Sequence, residues 1–357
     1  MPETMRAAVF KAVRDVHIEE VPVPRCGPND AIVRVTTTTI CGTDSHIWRG
    51  EYPVAPGRVV GHEPVGVIHE LGEAVRGYEV GERVIVAAVT PCGACYFCQR
   101  GDLSQCAGFE DQWGIIGGWR LGNSIDGVQA DFFRVPYAHA NLAKVPDALS
   151  DEQVLFLTDI ATTGISAIET ADLRIGDTVV IFAQGPIGLC ATAGASIRGA
   201  GLVVAVDANH KRLDMARTLG ADVVIDYTQE DPVAKVKALT EGRGADVAVE
   251  ALGIQETFEN SLKSVRPGGI VSSLGVYGDR ITIPLEPFIF GIGDIDIRTT
   301  LCPGGKERMR SLMALVISGR LRLDQLITHR FDLDEIEEAY PLFSNQEDGV
   351  IKVAVSP

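Results

Sequence analysis

From Thr178 to Leu301 short apolar runs alternate with stretches of helical character, and this alternation restricts the possible folds more than any other feature. In Thr178-Val179-Val180-Ile181-Phe182 the last four residues are apolar without interruption, as expected of a strand whose two faces are both covered. Ile187 to Arg198 follows as a helix, then Leu202 to Val206 as a strand and His210 to Leu219 as a helix closed by Gly220. Asp222 to Ile225, Asp246 to Val249, Ile270 to Leu274 and Ile297 to Leu301 repeat the strand signal. Strand and helix alternating at this pitch predict a doubly wound parallel sheet, an α/β fold.

The first 150 residues read differently. Ala7-Ala8-Val9-Phe10, Ala31 to Val35, Val65 to Ile68 and Arg83 to Val86 are short strands separated by Gly- and Pro-rich turns. They predict a β-rich, barrel-like domain. After Pro303, the helix Arg308 to Ser318 and the strand-like Val350 to Val355 are expected to return to that domain. The expected division is therefore 1–162 with 303–357, and 163–302. At 357 residues, two domains suit the usual range of about 100–200 residues each.

The turn after the first parallel strand is Ala183-Gln184-Gly185-Pro186-Ile187-Gly188. Ala183 stands where a dinucleotide fingerprint normally has its first glycine. Gly185 lets the backbone approach a pyrophosphate and Gly188 lets helix and strand pack closely, with Pro186 and Ile187 opening the helix whose N-terminus receives the anion. Asp207 ends the second strand, where an acid hydrogen-bonds the adenosine ribose and repels a 2′-phosphate. The cofactor expected is NAD. Arg212 either stacks on the adenine or is a solvated helix residue.

Cys92, Cys95, Cys98 and Cys106 supply half of the chain's eight cysteines within 15 positions. Four thiolates on one loop close a tetrahedron around zinc with no open position, so a structural zinc is expected; an iron–sulfur centre also takes four Cys, but the short span suits one small ion. Cys26 and Cys190 read as small buried hydrophobes. A net charge of −16 argues against nucleic acid and anionic membranes as partners. No apolar run reaches the length of a membrane helix, and Met1 to Arg6 has no basic segment leading into an apolar one. The expected location is cytoplasmic.

Two turn-like stretches combine Cys, His and acids: Cys41-Gly42-Thr43-Asp44-Ser45-His46 and Gly61-His62-Glu63-Pro64-Val65-Gly66. The second, continued by Gly72 and Val75, resembles the signature of the zinc-containing alcohol dehydrogenases in the medium-chain dehydrogenase/reductase superfamily. Cys41, the four-Cys lobe and the Gly185 to Gly188 turn fall in that family's order. Thr158 to Gly164 and Leu301-Cys302-Pro303-Gly304-Gly305 resemble its bacterial secondary-alcohol dehydrogenases.

The resemblance implies a GroES-like catalytic domain beside a Rossmann cofactor domain, with Cys41, His62 and Asp159 as ligands of a catalytic zinc. Glu63 is implied as an exchangeable or outer carboxylate. For Asp159 the plainer alternative is a helix N-cap. Thr43 and His46 are implied as a proton path, and Trp119, Leu301 and Cys302 as pocket walls, with Trp113 and Tyr277 as weaker candidates. The activity implied is hydride transfer between a secondary alcohol or ketone and the nicotinamide, by a homotetramer. Thermophilic NADP-dependent relatives carry a Gly-Ser-Arg type stretch after the second strand and often lack the four-Cys lobe; this chain has Asp207-Ala208-Asn209 and all four Cys. The competing readings are a polyol or 2,3-diol dehydrogenase, and a catalytically silent zinc- and NAD-binding protein.

Overall fold

The computed structural model describes residues 2–109 and 116–357. Trp113 lies outside the described residues. The chain divides into two compact units, Met1–Thr162 with Cys302–Pro357, and Thr163–Leu301. Cys302 thus belongs with the first unit, one residue before the expected return at 303.

The second unit is built on six parallel strands, Thr178–Phe182, Leu202–Asp207, Val223–Asp226, Ala245–Glu250, Val265–Ser273 and Asp296–Thr299. In sequence order they lie in space as 3-2-1-4-5-6, the doubly wound arrangement with its crevice between the first and fourth strands. Its core includes Val180, Phe182, Val204, Val206, Ile225, Val236, Ala248 and Phe258. The last strand ends at Thr299, short of the expected Leu301, and makes one pairing, to Val265–Ser273.

The first unit is β-rich. Its five-stranded antiparallel sheet runs in the order Phe132–Val135, Ala31–Thr37, Val65–Leu71, Arg83–Ile85, Ala143–Lys144. A second sheet joins Asp15–Pro22, Thr4–Ala12 and Arg58–Val59. The returning C-terminal segment adds the helix Lys306–Ile317 and a parallel pair, Ile327–Asp332 with Lys352–Ser356. Val355 bridges to Thr38 just beyond the Ala31–Thr37 strand, so the chain's end is laid beside its beginning. Among the described residues, no helix is long and apolar enough to cross a membrane.

Candidate active site and metal centres

Three separate segments of the first unit bring their polar residues to one buried point. Cys41 precedes the helix Gly42–Trp48, its backbone N–H donating to Asp44 Oδ2 at 2.8 Å. His62 and Glu63 follow Gly61, which has φ of +89° and where a Cβ would come within 2.5 Å of Gln129 Cγ. Both facts demand glycine there. Asp159 lies in Leu157–Ala161, a π-helical turn in which Ala161 N–H reaches back five residues to Phe156 O at 2.9 Å. Turns widened in this way recur at functional sites; Asp159 is inside the turn and does not cap a helix.

One ligand atom from each of Cys41, His62, Glu63 and Asp159 lies within 4.8 Å of the others, and all four residues are buried. Cys41 Sγ is 3.2 Å and His62 Nε2 3.3 Å from Asp159 Oδ2. Donors bound to one zinc at roughly 2.0–2.3 Å in tetrahedral array stand about 3.3–3.8 Å apart. The cluster therefore has a spacing suited to a shared ion. Glu63 Oε2 is buried with no hydrogen-bond partner, so its negative charge favours a cation nearby. Behind the imidazole, His62 Nδ1 faces Asp44 Oδ1 at 3.5 Å, the placement a carboxylate would need to orient the ring if Nε2 held a metal.

The charges respond to this crowding. Burial pushes the Cys41 thiol up to about 11, the Asp159 charge adding to it. Burial alone would lower His62, but the Asp44 charge and the contacts with Asp159, Asp44 and Cys41 raise it well above its ordinary value. Burial would raise Asp159, yet His62 brings it well below the usual carboxylate range. Without metal, Cys41 and His62 thus both carry protons at neutral pH, and a metal must displace them. Zinc uptake by this cluster is expected to release about two protons, so its affinity should fall about a hundredfold per pH unit below neutrality. Calorimetry in buffers of different ionisation heat, on protein retaining only its four-Cys zinc, measures the count; zero release would contradict the ligand set.

The thiols of Cys92, Cys95, Cys98 and Cys106 form the second cluster. Cys95 Sγ and Cys106 Sγ are 3.9 Å apart, near the ~3.8 Å edge of a tetrahedron with Zn–S of ~2.3 Å. Cys106 Sγ accepts from the backbone N–H of Cys92 and Gly108 and from Arg120 Nη2 at 3.4 Å. Burial would raise Cys95, but N–H groups of Cys98 and Ala107 outweigh it and bring the thiol down to about 6. Such a group is a thiolate at neutral pH and a ready metal ligand.

Around the first cluster, the Trp119 ring stands edge-on to His62 at 6.2 Å and meets Tyr52 at 5.0 Å. Cys302 is buried, its Sγ 4.0 Å from Thr158 O, next to Asp159. Thr43 and His46, three residues apart on one helix, share a face. His46 is exposed, with Nδ1 at 2.5 Å from Glu51 Oε2. Leu301 and Tyr277 belong to the second unit. The Tyr277 hydroxyl donates to Glu250 Oε2 and lies 2.9 Å from Ser273 Oγ, so its polar end is committed there.

In the second unit Ala183 holds the left-handed conformation, φ +71°, that a glycine would take more easily. At Gly188 a Cβ would lie 1.9 Å from Ala183 O, whereas at Gly185, the N-cap of Pro186–Arg198, it would stand in open space. The turn thus packs tightly inward and leaves its outer face clear, as a pyrophosphate requires. Ile187 continues the first turn of that helix. Asp207 has a further task not apparent from its position in the sequence. Its carboxylate accepts from the N–H groups of Gln184 at 2.7 Å and of Ala208 and Asn209 at 2.8 Å. It ties the glycine turn to the neighbouring strand. Arg212 is only half exposed and its Nε is buried without a hydrogen-bond partner.

Sequence reasoning missed Asp44, Tyr52, Arg120 and above all Lys352, whose side chain is fully buried 2.7 Å from Glu63 Oε1. A lone lysine in Val350-Ile351-Lys352-Val353-Ala354-Val355 was the signal: a charge inside an apolar strand needs a buried partner.

Residues 27–147 match the family described as Alcohol dehydrogenase GroES-like domain, and residues 186–318 that described as Zinc-binding dehydrogenase. An alcohol dehydrogenase of Cupriavidus necator is 54% identical, with both chains covered in full. An NADP-dependent isopropanol dehydrogenase of Entamoeba histolytica is 37% identical over 99% of this chain and 96% of its own. The solved structure of alcohol dehydrogenase TADH from Thermus sp. ATN1 superposes with a TM-score of 0.89 at 35% identity, covering 99% of each chain.

Proposed function

Because the chain belongs to the zinc-containing alcohol dehydrogenases of the medium-chain superfamily, we propose that it interconverts secondary alcohols and ketones with NAD as the hydride carrier. The observation that carries this reading is the buried Cys41, His62, Glu63 and Asp159 cluster. Cys41, His62 and Asp159 would hold the zinc, and the four-Cys lobe a second, structural one. When bound, the catalytic zinc supplies a Lewis acid for the alcohol or carbonyl oxygen.

The chain's own residues do the rest. Oxidation removes a hydride from the carbinol carbon and a proton from the hydroxyl. Thr43, at the start of the helix after Cys41, is positioned to accept and pass that proton, and exposed His46 to exchange it with solvent. Trp119, with Tyr52 packed against it, and Cys302 give the oxygen-binding end an apolar wall. That lining favours a small secondary alcohol over a polyol, whose extra hydroxyls would need partners. The name of the Entamoeba relative supports a secondary alcohol.

For the cofactor, Gly185, Pro186, Ile187 and Gly188 would receive the pyrophosphate and Arg212 flank the adenosine. Asp207 places a carboxylate where NADP would bring its 2′-phosphate, and like charges held together there are costly. NAD is therefore the reading for this chain, although the Entamoeba relative is named for NADP. A homotetramer belongs to the same proposal. Ile283, Leu285, Phe290 and Ile292 are exposed between the fifth strand and the singly paired sixth, apolar surface that association would cover. The cytoplasm suits eight cysteines that form no disulfide with one another.

Initial rates with 2-butanol and with sorbitol, each with NAD and with NADP, test the reading. Fast turnover of 2-butanol with NAD is expected. Preference for sorbitol would move the chain to the polyol branch, and preference for NADP would remove the role given to Asp207. A zinc-replete protein that turns over no alcohol would leave a catalytically silent one.

A further inference from the structure

We propose that Lys352 is a positioning residue that balances the charge of the Cys41, His62, Glu63 and Asp159 cluster and keeps Glu63 off the metal. This rests on the reading that the cluster holds a divalent ion. Lys352 comes from the last strand, Lys352–Ser356, and its side chain is 0% exposed. Its Nζ donates to Glu63 Oε1 at 2.7 Å and to Ile40 O at 3.0 Å, and stands 5.2 Å from the centre of the Phe156 ring. Ile40 immediately precedes Cys41, Glu63 follows His62, and Phe156 accepts the hydrogen bond that widens the turn carrying Asp159. One ammonium therefore touches all three segments that deliver the ligands.

The charge balance explains why it is there. A Cys41 thiolate and the Glu63 and Asp159 carboxylates bring three negative charges to one divalent ion and a neutral imidazole. Among these four residues one negative charge is left over at a buried point, and the Asp44 carboxylate behind His62 adds to it. Lys352 supplies a buried positive charge against this excess. The ion pair also fixes which way Glu63 leans. Its Oε1 is drawn to Lys352, while Oε2 has no hydrogen-bond partner among the described residues. Remove the ammonium, and among the described residues no other cation is left beside that carboxylate, so the metal would satisfy it. Glu63 would then join Cys41, His62 and Asp159 as a fourth ligand and fill the position that a catalytic site keeps open.

The test uses the full-length protein with zinc in the four-Cys lobe and cobalt in the cluster, with imidazole as the probe of the open position. Wild type is expected to hold two metals per chain and to change its cobalt absorption on adding imidazole. Lys352→Met should still bind cobalt, but with an altered spectrum before imidazole and at least a tenfold weaker response to it. Lys352→Arg should behave like wild type, since it keeps the charge. The double variant Lys352→Met/Glu63→Gln should regain the imidazole response, because the carboxylate that closes the site is gone. It carries no unpaired buried charge, so it remains informative if Lys352→Met fails to fold. A wild-type spectrum and imidazole affinity in Lys352→Met would overturn the proposal. So would a double variant as impaired as the single one. Wild type that takes up metal only at the four-Cys lobe would instead overturn the reading of the cluster, and this proposal with it.

Discussion

Replacing Asp159 by Asn is expected to lower kcat/KM for the preferred alcohol by about a thousandfold, on the order of 4 kcal/mol of transition-state stabilisation. Asp159 Oδ2 is the atom that Cys41 Sγ and His62 Nε2 both approach, at 3.2 and 3.3 Å. It is the hub of the cluster. An amide of the same shape keeps the packing but removes the negative charge that favours a cation there. The four-Cys lobe is untouched by the change, so the purified variant should retain about one zinc per chain against an expected two in wild type. Metal analysis alongside steady-state rates reads both effects. Full activity with two zincs per chain would show that Glu63, with one oxygen already in the cluster, suffices in place of Asp159.

The second large effect is on stability. Cys106→Ser should lower the melting temperature by about 10 °C, because metal binding in such a lobe is folding free energy and a unit of this size loses about 2–4 °C per kcal/mol. Cys106 is fully buried and its sulfur gathers two backbone N–H groups and Arg120. The buried hydrophobic cluster around it consists mainly of the four cysteines, with Ala107 and the partly buried Phe97 and Tyr137. So little apolar material cannot hold a loop by itself. Differential scanning calorimetry with zinc analysis makes the measurement. An unchanged melting temperature would mean that the lobe folds without metal.

The sequence by itself determined most of the framework. Apolar runs such as Val179 to Phe182 carry their own instruction, since a strand covered on both faces is mostly apolar, and the six strands were readable in order. The four-Cys lobe was legible because its ligands lie within one loop, where spacing along the chain is nearly spacing in space. Gly188 was legible for a local reason too: the helix must pass close to the turn.

Tertiary structure decided what joins distant segments. The positions 41, 62 and 159 are far apart in sequence, and only a resemblance linked them before the fold brought them to a common point. The π-helical turn that aims Asp159 has no signature in Leu157 to Ala161, since its hydrogen-bond pattern is set by what packs around it. Asp207 was placed correctly at a strand end, but its bond from the Gln184 N–H, 23 residues away, follows from two strands lying side by side. Lys352 shows the limit most clearly. A lysine in an apolar strand announces that some partner must exist, but its partner is 289 residues away at Glu63. Local chemistry states the need for a counter-charge, and only the folded chain supplies the place where that need is met.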